Sequence, residues 1–593
     1  MFIIDTEVYS DYFLLSMMRL DDGKIRHFEF HDTAELDADK IKKLFATETV
    51  ISFNGNSYDL PIISAAIAGY SNKQIKALSD SIIKSNAPIW TILRLHTFDI
   101  IKNDHIDLIE VAPGRSSLKI YGGRMNAPKM QDLPIDPSSS ITPKQRAQLR
   151  EYCENDLHTT AMLYKALKPQ IDLRVALSEQ YGMDLRSKSD AQIAETVIIS
   201  EMTKITKQGY GKVTMKDNTT FSYIDPGIVN FTDTKLNLLI NSLCEHRFTL
   251  GLNGAVQMPD WLRNTKIKIG TSEYQMGIGG LHSCEKSQYI KADDEHMLIE
   301  LDVASYYPNI ILQQRLAPKS MGATFLKVYQ GIVTRRLKAK RDGDKVTADV
   351  LKIAVNGSFG KLGSKYSALF APELLIQTTI TGQLALLMLI EAVELAGAKV
   401  VSANTDGVVI QCPRVLEKRI EEVAFDWMLR TSFDLERTDY RALASRDVNS
   451  YVAVKLDGKV KGKGVFASTS LAKNPDDPII AKAVAQYVAH GIPLEITIRN
   501  CQDITQFVTI RRVQGGATWQ GEYLGKAVRF YHSNAVPSAQ CIHYATNSNR
   551  VPNSAGARPL MQLPFTFPED VDYNYYLVEA EKLLCEVGCN ARA

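Results

Sequence analysis

The chain has 593 residues, which leaves room for several domains, and its hydrophobic fraction of 45% is ordinary for globular protein. No run of about twenty apolar residues occurs, so we expect no membrane span and no membrane partner. The 69 basic and 67 acidic side chains nearly cancel, at a net charge of +2, which excludes a uniformly basic protein and leaves local basic clusters for any contact with nucleic acid.

The first predicted strand carries two carboxylates. An apolar run at residues 1–4 leads into Asp5 and Glu7, which are separated by one residue. A second apolar segment at 50–53 predicts another strand, and Asp59 follows it at the start of a predicted helix. These two segments therefore offer three acids at the ends of secondary-structure elements.

A later helix adds a fourth carboxylate. Thr142 and Pro143 are an N-cap residue and a first-turn proline, and they predict the start of that helix. Tyr152 and Asp156 lie four residues apart on it and therefore share a face. Four acids at one site would repel one another and need cations, and two divalent ions there would activate water and stabilise a leaving 3′ oxygen. The alternative for each acid alone is a solvated loop position.

Two adjacent glycines stand near the middle of the chain. Gly279 and Gly280 follow a segment that begins at Tyr274, and glycine permits close approach of the backbone to another group. An ordinary glycine turn is the alternative.

A buried carboxylate is predicted at Asp302. The mostly aliphatic residues 298–301 before it indicate a buried strand, where a carboxylate is costly unless it is paired or binds metal. A helix N-cap or a salt-bridged aspartate is the alternative for this residue taken alone.

The next segments carry cations at helical spacing. A basic cluster at 335–341 precedes a short turn at 342–344. Beyond the turn, Lys352, Asn356 and Phe359 recur at helical spacing, so one helix face carries a cation, an amide and an aromatic ring. We therefore expect two antiparallel helices with basic inner faces. A solvated helix face is the usual alternative for a run of charges.

A β-hairpin is predicted at residues 400–410, because two apolar runs flank an Asp-Gly turn. The turn would present Asp406 at its tip. Asp302, Asp406 and the cationic helix of Lys352 together suit phosphoryl transfer between two metal ions, where Mg²⁺ takes oxygen ligands and lysine neutralises phosphate.

These segments resemble, in order, three polymerase motifs of family B DNA polymerases. The first, Asp-x-x-Ser-Leu-Tyr-Pro-Ser, is similar to residues 302–309, and the second, Lys-x-x-x-Asn-Ser-x-Tyr-Gly, to residues 352–360. The third, Asp-Thr-Asp-Ser, is matched by residues 404–407, but Asn404 replaces its first acid. Asp406 keeps the second acid, which in the family pairs with the acid of the first motif to hold the catalytic metals. The resemblance implies an active polymerase, with weaker metal affinity as the expected effect of Asn404.

The N-terminal acids resemble the three motifs of the DEDDy 3′–5′ exonuclease domain of proofreading polymerases. The residues that carry these motifs are Asp5 and Glu7, then Asn54, Tyr58 and Asp59, then Tyr152 and Asp156. The family uses the four acids to bind metals and the tyrosine of the third motif to orient the attacking water. It uses the asparagine and tyrosine of the second motif to contact the frayed 3′ strand.

The resemblance implies roles around Asp302 and Asp406, which would hold the metals of the polymerase site. The implied nucleotide-binding residues are Ser305, Tyr307, Arg336, Lys340, Lys352 and Asn356. Among them Tyr307 is the expected steric gate against ribonucleotides, and Lys352 with the two cations of the basic cluster balances phosphate charge. Arg335 or Lys338 could serve in place of the assigned cations of that cluster.

The implied DNA contacts are spread over two regions. Gly279 and Gly280 resemble the Tyr-x-Gly-Gly element that touches template phosphates, although Gly277 stands where that element has its tyrosine. Tyr451 matches the tyrosine of a Lys-x-Tyr element that grips the primer. The lysine of that element is lost, so we expect Lys461 or Lys463 to substitute for it.

The resemblance implies an α/β plus α+β multidomain fold, in which an RNase H-like exonuclease domain precedes a right-hand polymerase. The expected domains are the exonuclease at 1–175, a connector and start of palm at 176–293, palm at 294–326, fingers at 327–362, palm at 363–450, and thumb and C-terminal region at 451–593. Protein-primed members carry insertions between the polymerase motifs, and their absence here favours extension of a nucleic-acid primer. The compact layout resembles polymerases of bacterial viruses.

The expected function is template-directed DNA synthesis from dNTPs with 3′–5′ proofreading, using two Mg²⁺ per active site, with Mn²⁺ as a substitute. Expected partners of a monomeric enzyme are primer–template DNA, dNTPs and a helicase, clamp or single-strand-binding protein. The eight cysteines lack a zinc-site pattern and indicate a reducing compartment, the cytoplasm, or the host cytoplasm for a viral protein. Two alternatives stay open: an exonuclease with a DNA-binding but inactive polymerase domain, and a non-catalytic replication scaffold.

Overall fold

The computed structural model describes residues 1–85 and 87–589, which form helices and strands in mixed order. The helices, numbered in chain order, are α1 Ala38–Thr47, α2 Asp59–Ile67, α3 Asn72–Lys84, α4 Ile89–Leu93, α5 Leu118–Arg124, α6 Pro143–Ala166, α7 Lys168–Tyr181, α8 Asp190–Thr206, α9 Thr234–Glu245, α10 Asp260–Asn264, α11 Tyr306–Gln313, α12 Gly322–Arg341, α13 Lys345–Leu362, α14 Pro372–Leu395, α15 Glu417–Thr431, α16 Pro478–His490, α17 Leu494–Arg499 and α18 Tyr573–Glu586. The strands are β1 Phe2–Val8, β2 Phe13–Arg19, β3 Ile25–Phe30, β4 Thr49–Ser52, β5 Asp104–Asp107, β6 Thr220–Phe221, β7 Phe248–Thr249, β8 Ile267–Ile269, β9 Ser272–Met276, β10 Leu281–Ser283, β11 Gln288–Lys291, β12 His296–Val303, β13 Lys399–Asn404, β14 Gly407–Pro413, β15 Leu435–Asp447, β16 Ser450–Lys455, β17 Val460–Lys463, β18 Thr509–Trp519, β19 Glu522–His532, β20 His543–Tyr544 and β21 Ala557–Pro559.

The chain divides into two compact units, each built from non-contiguous segments. The first comprises Met1–Ser189, Thr469–Ile479 and Cys501–Tyr576, and the second comprises Asp190–Ser468, Ile480–Asn500 and Leu577–Ala593. A mixed α/β multidomain architecture is therefore confirmed. The names and functional boundaries of the expected exonuclease, palm, fingers and thumb stay predictions.

The first unit is built on a five-stranded sheet with the order β3-β2-β1-β4-β5, in which β1, β4 and β5 run parallel. Side chains alternate between the two faces of a strand. Ile4 packs on one face with α1 and α2, whereas Ile3 packs on the other with α6. Asp5 and Glu7 follow Ile3 at intervals of two, so both acids lie on the face that α6 covers.

Helix α6 begins as the sequence predicts. Thr142 is its N-cap, and the Thr142 and Gln145 side chains form a reciprocal capping box. Pro143 occupies the first turn, where its missing N–H leaves no hydrogen bond unmade. The cap fixes where the helix starts, and hence how far Tyr152 and Asp156 lie along it.

Residues 501–576 bring a four-stranded sheet, ordered β20-β18-β19-β21, to the first unit. Arg529 of β19 is fully buried and donates to the carbonyl oxygens of Leu560 at 2.7 Å and Ala127 at 2.8 Å. Gly123 of α5 meets β18 closely, since a Cβ there would lie 2.9 Å from Cγ2 of Ile510. The Arg529–Ala127 bond joins residues that are 402 positions apart in the chain.

The second unit is built on a ten-stranded sheet whose main path is β17-β16-β15-β12-β14-β13-β10-β9-β8, with β11 paired to β15. Ile299 and Leu301 of β12 belong to the core cluster that includes residues of α14 and α15. Glu300 and Asp302 alternate with them and therefore lie on the opposite face of the sheet. The predicted strand at 298–301 and the predicted hairpin at 400–410 are both confirmed.

The predicted antiparallel helix pair is confirmed as α12 and α13, but the expected basic inner faces are not: the buried faces of both helices are mostly apolar, and Lys352 and most cations of the basic cluster are exposed. Tyr329 of α12 donates to the carbonyl of Val355 in α13 at 3.2 Å, and Asp344 caps α13 after the turn. Helix α8 packs against the pair, where Glu195 accepts from Lys361 at 2.9 Å. The pair is therefore held on a third helix that sequence reasoning had placed in the connector.

Helix α14 is long and apolar enough to cross a membrane by length and composition, although Gln383 and several threonines interrupt its apolar run. In the structure 83% of its most apolar window is buried against the rest of the protein, as in a core helix. Within residues 1–85 and 87–589 it is the one helix that passes this test.

Candidate active sites

The first cluster of acids lies in the first unit, between β1 and α6. Ligand atoms of Asp5, Glu7 and Cys153 lie within 4.8 Å of one another, and the Cys153 thiol donates to Oδ2 of Asp5 at 3.4 Å. Asp59 is buried at the start of α2 and accepts from the Thr6 hydroxyl at 2.6 Å. Strand β1 thus supplies two acids on one face and the hydroxyl that holds a third.

Asp156 completes this cluster from α6 and is buried. The Lys119 ammonium donates to both of its carboxylate oxygens. The same ammonium lies 4.3 Å from the ring centre of Tyr152, so Lys119 links the acid and the tyrosine of the third motif. Asp5 and Glu7 are therefore adjacent, and the charges of Asp59 and Asp156 act on both of them, with Tyr152 beside Lys119, the partner of Asp156.

The charge of these acids is only partly balanced. Burial, followed by repulsion from Asp156, raises the pKa of Asp5 well above its ordinary value and raises the pKa of Glu7 to about 8. Burial raises the pKa of Asp59 to about 7 and also raises the pKa of Asp156, which Lys119 opposes. Buried carboxylates that repel one another favour cations between them, so this oxygen-rich donor set fits divalent metal ions.

The remaining residues of the second motif lie on the loop after β4. The Asn54 backbone adopts a φ of +71°, and its N–H donates to Oδ1 of Asp107 at 2.8 Å. Tyr58 shares a 2.8 Å hydrogen bond with the Ser79 hydroxyl. Asp107 holds the loop in this conformation, so the Asn54 and Tyr58 positions are fixed by partners outside the motif.

Sequence reasoning missed Lys119 and Asp107. Lys119 is a cation next to the apolar residues Ile120 and Tyr121 of a short helix, and that isolated charge was its only signal. Asp107 ends the short strand β5, and no spacing in the sequence links it to the loop that it holds.

The second pair of acids lies in the second unit, where β12 and β14 pair. Asp302 lies opposite Gly407, the residue after Asp406, and the Val303 N–H donates to the Asp406 carbonyl at 2.7 Å. Gly407 leaves room for the acid, because a Cβ at that position would lie 2.9 Å from Oδ1 of Asp302. The predicted convergence of two acids distant in the chain is therefore present at the backbone.

These two acids also interact electrostatically. Burial, followed by repulsion from Asp406, raises the pKa of Asp302 to about 6. Burial raises the pKa of Asp406, while Lys463 and Lys461 lower it. The half-buried Asp302 and the exposed Asp406 again offer hard oxygen ligands that fit divalent ions.

The turn that carries Asp406 rests on the glycine segment. The Thr405 N–H donates to the Leu281 carbonyl at 2.8 Å, and a Cβ at Gly280 would lie 2.8 Å from Oγ1 of Thr405. Asn404 pairs with His282 of β10 and accepts from the Thr405 hydroxyl at 3.1 Å. The close approach predicted for Gly280 is thus made to a side chain of this protein.

Tyr307 is held on two sides at the start of α11. Its ring stacks on Phe359 of α13 with centres 4.2 Å apart and an interplanar angle of 18°. Its hydroxyl donates to the Gly279 carbonyl at 2.5 Å. The predicted steric gate is therefore a fixed ring that joins three segments.

The predicted cations lie on α12 and α13. Arg336 donates to the Ser305 hydroxyl at 3.3 Å, and Lys340 lies 3.9 Å from Glu436, the residue that pairs with Asp302 in β15. Lys352 and Asn356 are exposed on α13. Arg336 and Lys340 therefore lie toward the acid-bearing segments, whereas Lys352 and Asn356 are exposed to solvent.

Tyr451, Lys461 and Lys463 come from β16 and β17. Tyr451 pairs with Lys463 across the strands. Lys461 donates to both oxygens of Glu300, at 2.8 and 2.9 Å. Glu300, which precedes Asp302 by two residues, is a third acid on this face that sequence reasoning did not single out.

Comparison with known proteins found matches among solved structures alone. No protein-family model and no curated protein matches the chain. Among solved structures, the chain is similar to the family B DNA polymerase from the hyperthermophilic archaeon Pyrobaculum calidifontis, at 13% sequence identity and a TM-score of 0.42, over 99% of this chain and 77% of that chain.

Proposed function

We propose that the chain is a DNA-templated DNA polymerase with a 3′–5′ proofreading exonuclease. The observation that carries the proposal is the pairing of β12 with β14, which sets Asp302 beside Asp406 from the other end of a long sequence interval. Cations of α12 and of β17 surround this pair, and a separate four-acid cluster occupies the first unit. The Asp302–Asp406 pair suits extension of a DNA strand, and the four-acid cluster of the first unit suits removal of its terminal nucleotide.

The polymerase site would bind a dNTP and a primer 3′ end. Two Mg²⁺, or Mn²⁺ in their place, would be held by Asp302 and Asp406 and would acidify the 3′-hydroxyl and stabilise the leaving pyrophosphate. Lys352, with Arg336 and Lys340, balances charge on the triphosphate. These cations reach the site from one rigid helix pair, so they also orient the nucleotide.

Selection of nucleotides would be steric. The Tyr307 ring cannot turn aside, because Phe359 and the Gly279 carbonyl hold it, so it excludes a ribose 2′-hydroxyl. Ser305, bound by Arg336, lies at the start of the same helix and contacts the triphosphate. Asn356 is open on α13 and would lie near the nascent base pair.

The exonuclease site would hydrolyse the last phosphodiester of a frayed primer. Divalent ions held by Asp5, Glu7, Asp59 and Asp156 would supply an activated water and stabilise the departing 3′ oxygen. Tyr152 orients the water, while Asn54 and Tyr58 contact the terminal nucleotides. The two sites would compete for one primer 3′ end. The fidelity of synthesis would therefore depend on how that end is distributed between the polymerase site and the exonuclease site.

Primer–template DNA and dNTPs are the proposed ligands, with Gly279, Gly280 and Tyr451 among the DNA contacts. A helicase, clamp or single-strand-binding protein is the proposed accessory partner of a monomeric enzyme. The proposed location is the cytoplasm, or the host cytoplasm if the source is a virus, as the cysteine pattern indicates.

A second candidate is an exonuclease whose polymerase half binds DNA without extending it. Asn404 favours it, because the residue carries no charge and its side-chain oxygen already accepts a hydrogen bond from Thr405. The intact Asp302 and Asp406 favour the polymerase. A non-catalytic scaffold would explain neither acid cluster.

A labelled primer annealed to a longer template, with Mg²⁺ and dNTPs, tests these candidates. The polymerase gives longer products, the nuclease gives only shorter ones, and a scaffold gives neither. We expect Asp302→Ala to abolish extension and keep degradation of single strands, and Asp5→Ala combined with Glu7→Ala to do the reverse. Loss of both activities in either variant, with the fold retained by circular dichroism, would contradict the assignment of the two sites.

A further inference from the structure

The strand that leads to Asp406 is irregular. β13 shifts its register against β14 between Val400 and Ser402, and on its other side it pairs with β10 through His282 and Asn404. Where a ladder is interrupted, backbone N–H and C=O groups need other partners. The position of Asp406 therefore depends on what binds the strand just before the turn.

Side chains from three neighbouring elements bind the irregular part of β13. Glu394 of α14 accepts from the Val400 N–H at 2.7 Å, and the Ser272 hydroxyl of β9 donates to the Val400 carbonyl at 2.9 Å. Gln288 of β11 donates to the Val401 carbonyl at 2.8 Å. Side chains thus take the place of backbone partners along this stretch.

Ser283 of β10 binds both backbone groups of Ala403, the residue three positions before Asp406. The Ala403 N–H donates to the Ser283 hydroxyl oxygen at 2.8 Å, and this hydroxyl can donate to the Ala403 carbonyl at 3.1 Å. The same hydroxyl also lies within hydrogen-bond distance of the Glu285 carboxylate. A serine hydroxyl has one hydrogen, so it donates either to the Ala403 carbonyl or to Glu285.

The charge of Glu285 decides this competition. As a carboxylate, Glu285 accepts from the Ser402 hydroxyl at 2.8 Å and also takes the Ser283 hydrogen. As a neutral acid it donates its own proton to the Ser283 oxygen, which frees the Ser283 hydrogen for the Ala403 carbonyl. Burial raises the pKa of Glu285 to about 7, so both forms are populated near neutral pH.

A surface cavity of about 450 Å³ adjoins Glu285 and lets it exchange its proton with solvent. The Asp447 carboxylate at the end of β15 repels Glu285 and adds to the effect of burial on its pKa. The other charged residues that line the cavity are Lys268, Glu273, Lys286 and Lys399.

We propose that Ser283 is a positioning residue that holds the Asp406 turn through the backbone of Ala403, and that protonation of Glu285 tightens this hold. The inference rests on the proposed polymerase function. It makes the placement of one metal-binding acid depend on a proton that is bound beside the neighbouring strand.

Hydrogen exchange of peptides that span residues 399–406, followed by mass spectrometry in EDTA, tests the hold without metal or DNA. Ser283→Ala should raise the exchange rate about tenfold, because the Ala403 groups lose their partner. Glu285→Gln keeps a donor toward Ser283 at every pH, as the neutral acid does. At pH 6 wild type and Glu285→Gln should exchange equally, and at pH 8 wild type should exchange about threefold faster.

Glu273→Gln is the matched control. Glu273 lines the same cavity and is exposed, so this variant removes the same charge and should exchange like wild type at both pH values. Wild-type exchange in Ser283→Ala would overturn the hold, and equal exchange of wild type and Glu285→Gln at pH 8 would overturn its control by the proton. If Ser283→Ala does not fold, the Glu285→Gln comparison decides both points, because it acts through the same hydroxyl.

Primer extension separates this inference from the proposed function. Ser283→Ala should lower the maximal rate of extension about tenfold and leave the affinity for primer–template unchanged, since the variant alters the Asp406 turn. Wild-type protein that extends a primer, while neither variant changes exchange, overturns this inference alone. Exchange that changes as expected in a wild-type protein that cannot extend a primer overturns the proposed function.

Discussion

At the scale of single residues, Asn404 is the clearest departure from the polymerase pattern. Its side chain accepts from Thr405, and its backbone pairs with His282, so it keeps the turn in place without adding charge. Asp406 retains its position through the backbone bond to Val303. Asn404 therefore changes the charge of the site and leaves its geometry intact.

Restoring the acid at position 404 tests whether the charge there affects metal binding while the geometry of the site stays the same. Asn404→Asp adds a carboxylate beside Asp406, which should strengthen the attraction for divalent cations. We expect the Mg²⁺ concentration for half-maximal primer extension to fall about threefold to tenfold, with little change in the maximal rate. Titration of Mg²⁺ in the primer-extension assay measures this, and an unchanged midpoint would show that Asn404 does not limit metal binding.

The gate residue gives a second test at this scale. Tyr307→Ala removes a ring held by Phe359 and Gly279, and we expect ribonucleotide incorporation relative to deoxynucleotide to rise at least tenfold. Competing dNTP and rNTP in single-nucleotide extension gives the ratio. Tyr307→Phe is the control, because it keeps the ring and should retain most of the selectivity; unchanged selectivity in the alanine variant would remove the gate.

The raised pKa of Glu7 predicts how stability depends on pH. A carboxyl whose pKa is about 8 in the folded protein and near 4.5 when unfolded binds more protons in the folded state between these values, so stability falls as pH rises through that window. In EDTA the melting temperature of the first unit should therefore fall from pH 5 to pH 8. Glu7→Gln should flatten the profile and Mg²⁺ should reverse the loss, both measurable by calorimetry; a melting temperature that rises over this window would contradict the assignment.

At the scale of elements, the sequence predicted the helices and strands whose patterns lie within a few neighbouring residues. The hairpin of β13 and β14 followed from an Asp-Gly turn, and the start of α6 from Thr142 and Pro143. The pairing of β12 with β14 was expected only through the resemblance. The ion pairs of Lys119 with Asp156 and of Lys461 with Glu300 could not be predicted, because each forms through strand order and helix packing that no spacing in the sequence records.

Strand β19 supplies a test of long-range packing. Arg529→Met leaves the carbonyls of Leu560 and Ala127 without their donor in a buried setting, which should destabilise the first unit by about 2–4 kcal/mol. Arg512→Met on the neighbouring strand is the control, since Arg512 is exposed. Urea unfolding followed by tryptophan fluorescence compares the two variants, and equal midpoints would show that Arg529 does not hold this sheet to the segment at Ala127.

At the scale of the whole molecule, the two acid clusters belong to different compact units, and the first unit recruits residues 501–576 from far along the chain. No pattern in the sequence indicated that recruitment, because its contacts, such as Arg529 with Ala127, join segments whose motifs are unrelated. The predicted span 451–593 therefore contributes to both units. Its role as thumb stays a prediction.

The backbone bond from Val303 to Asp406 has an evolutionary consequence. Since a backbone amide and a carbonyl maintain the separation between the two acid-bearing segments, mutation can alter neighbouring side chains without moving the backbone of Asp302 or Asp406. Single substitutions could then change the affinity for divalent cations one at a time, and Asn404 would be one such substitution.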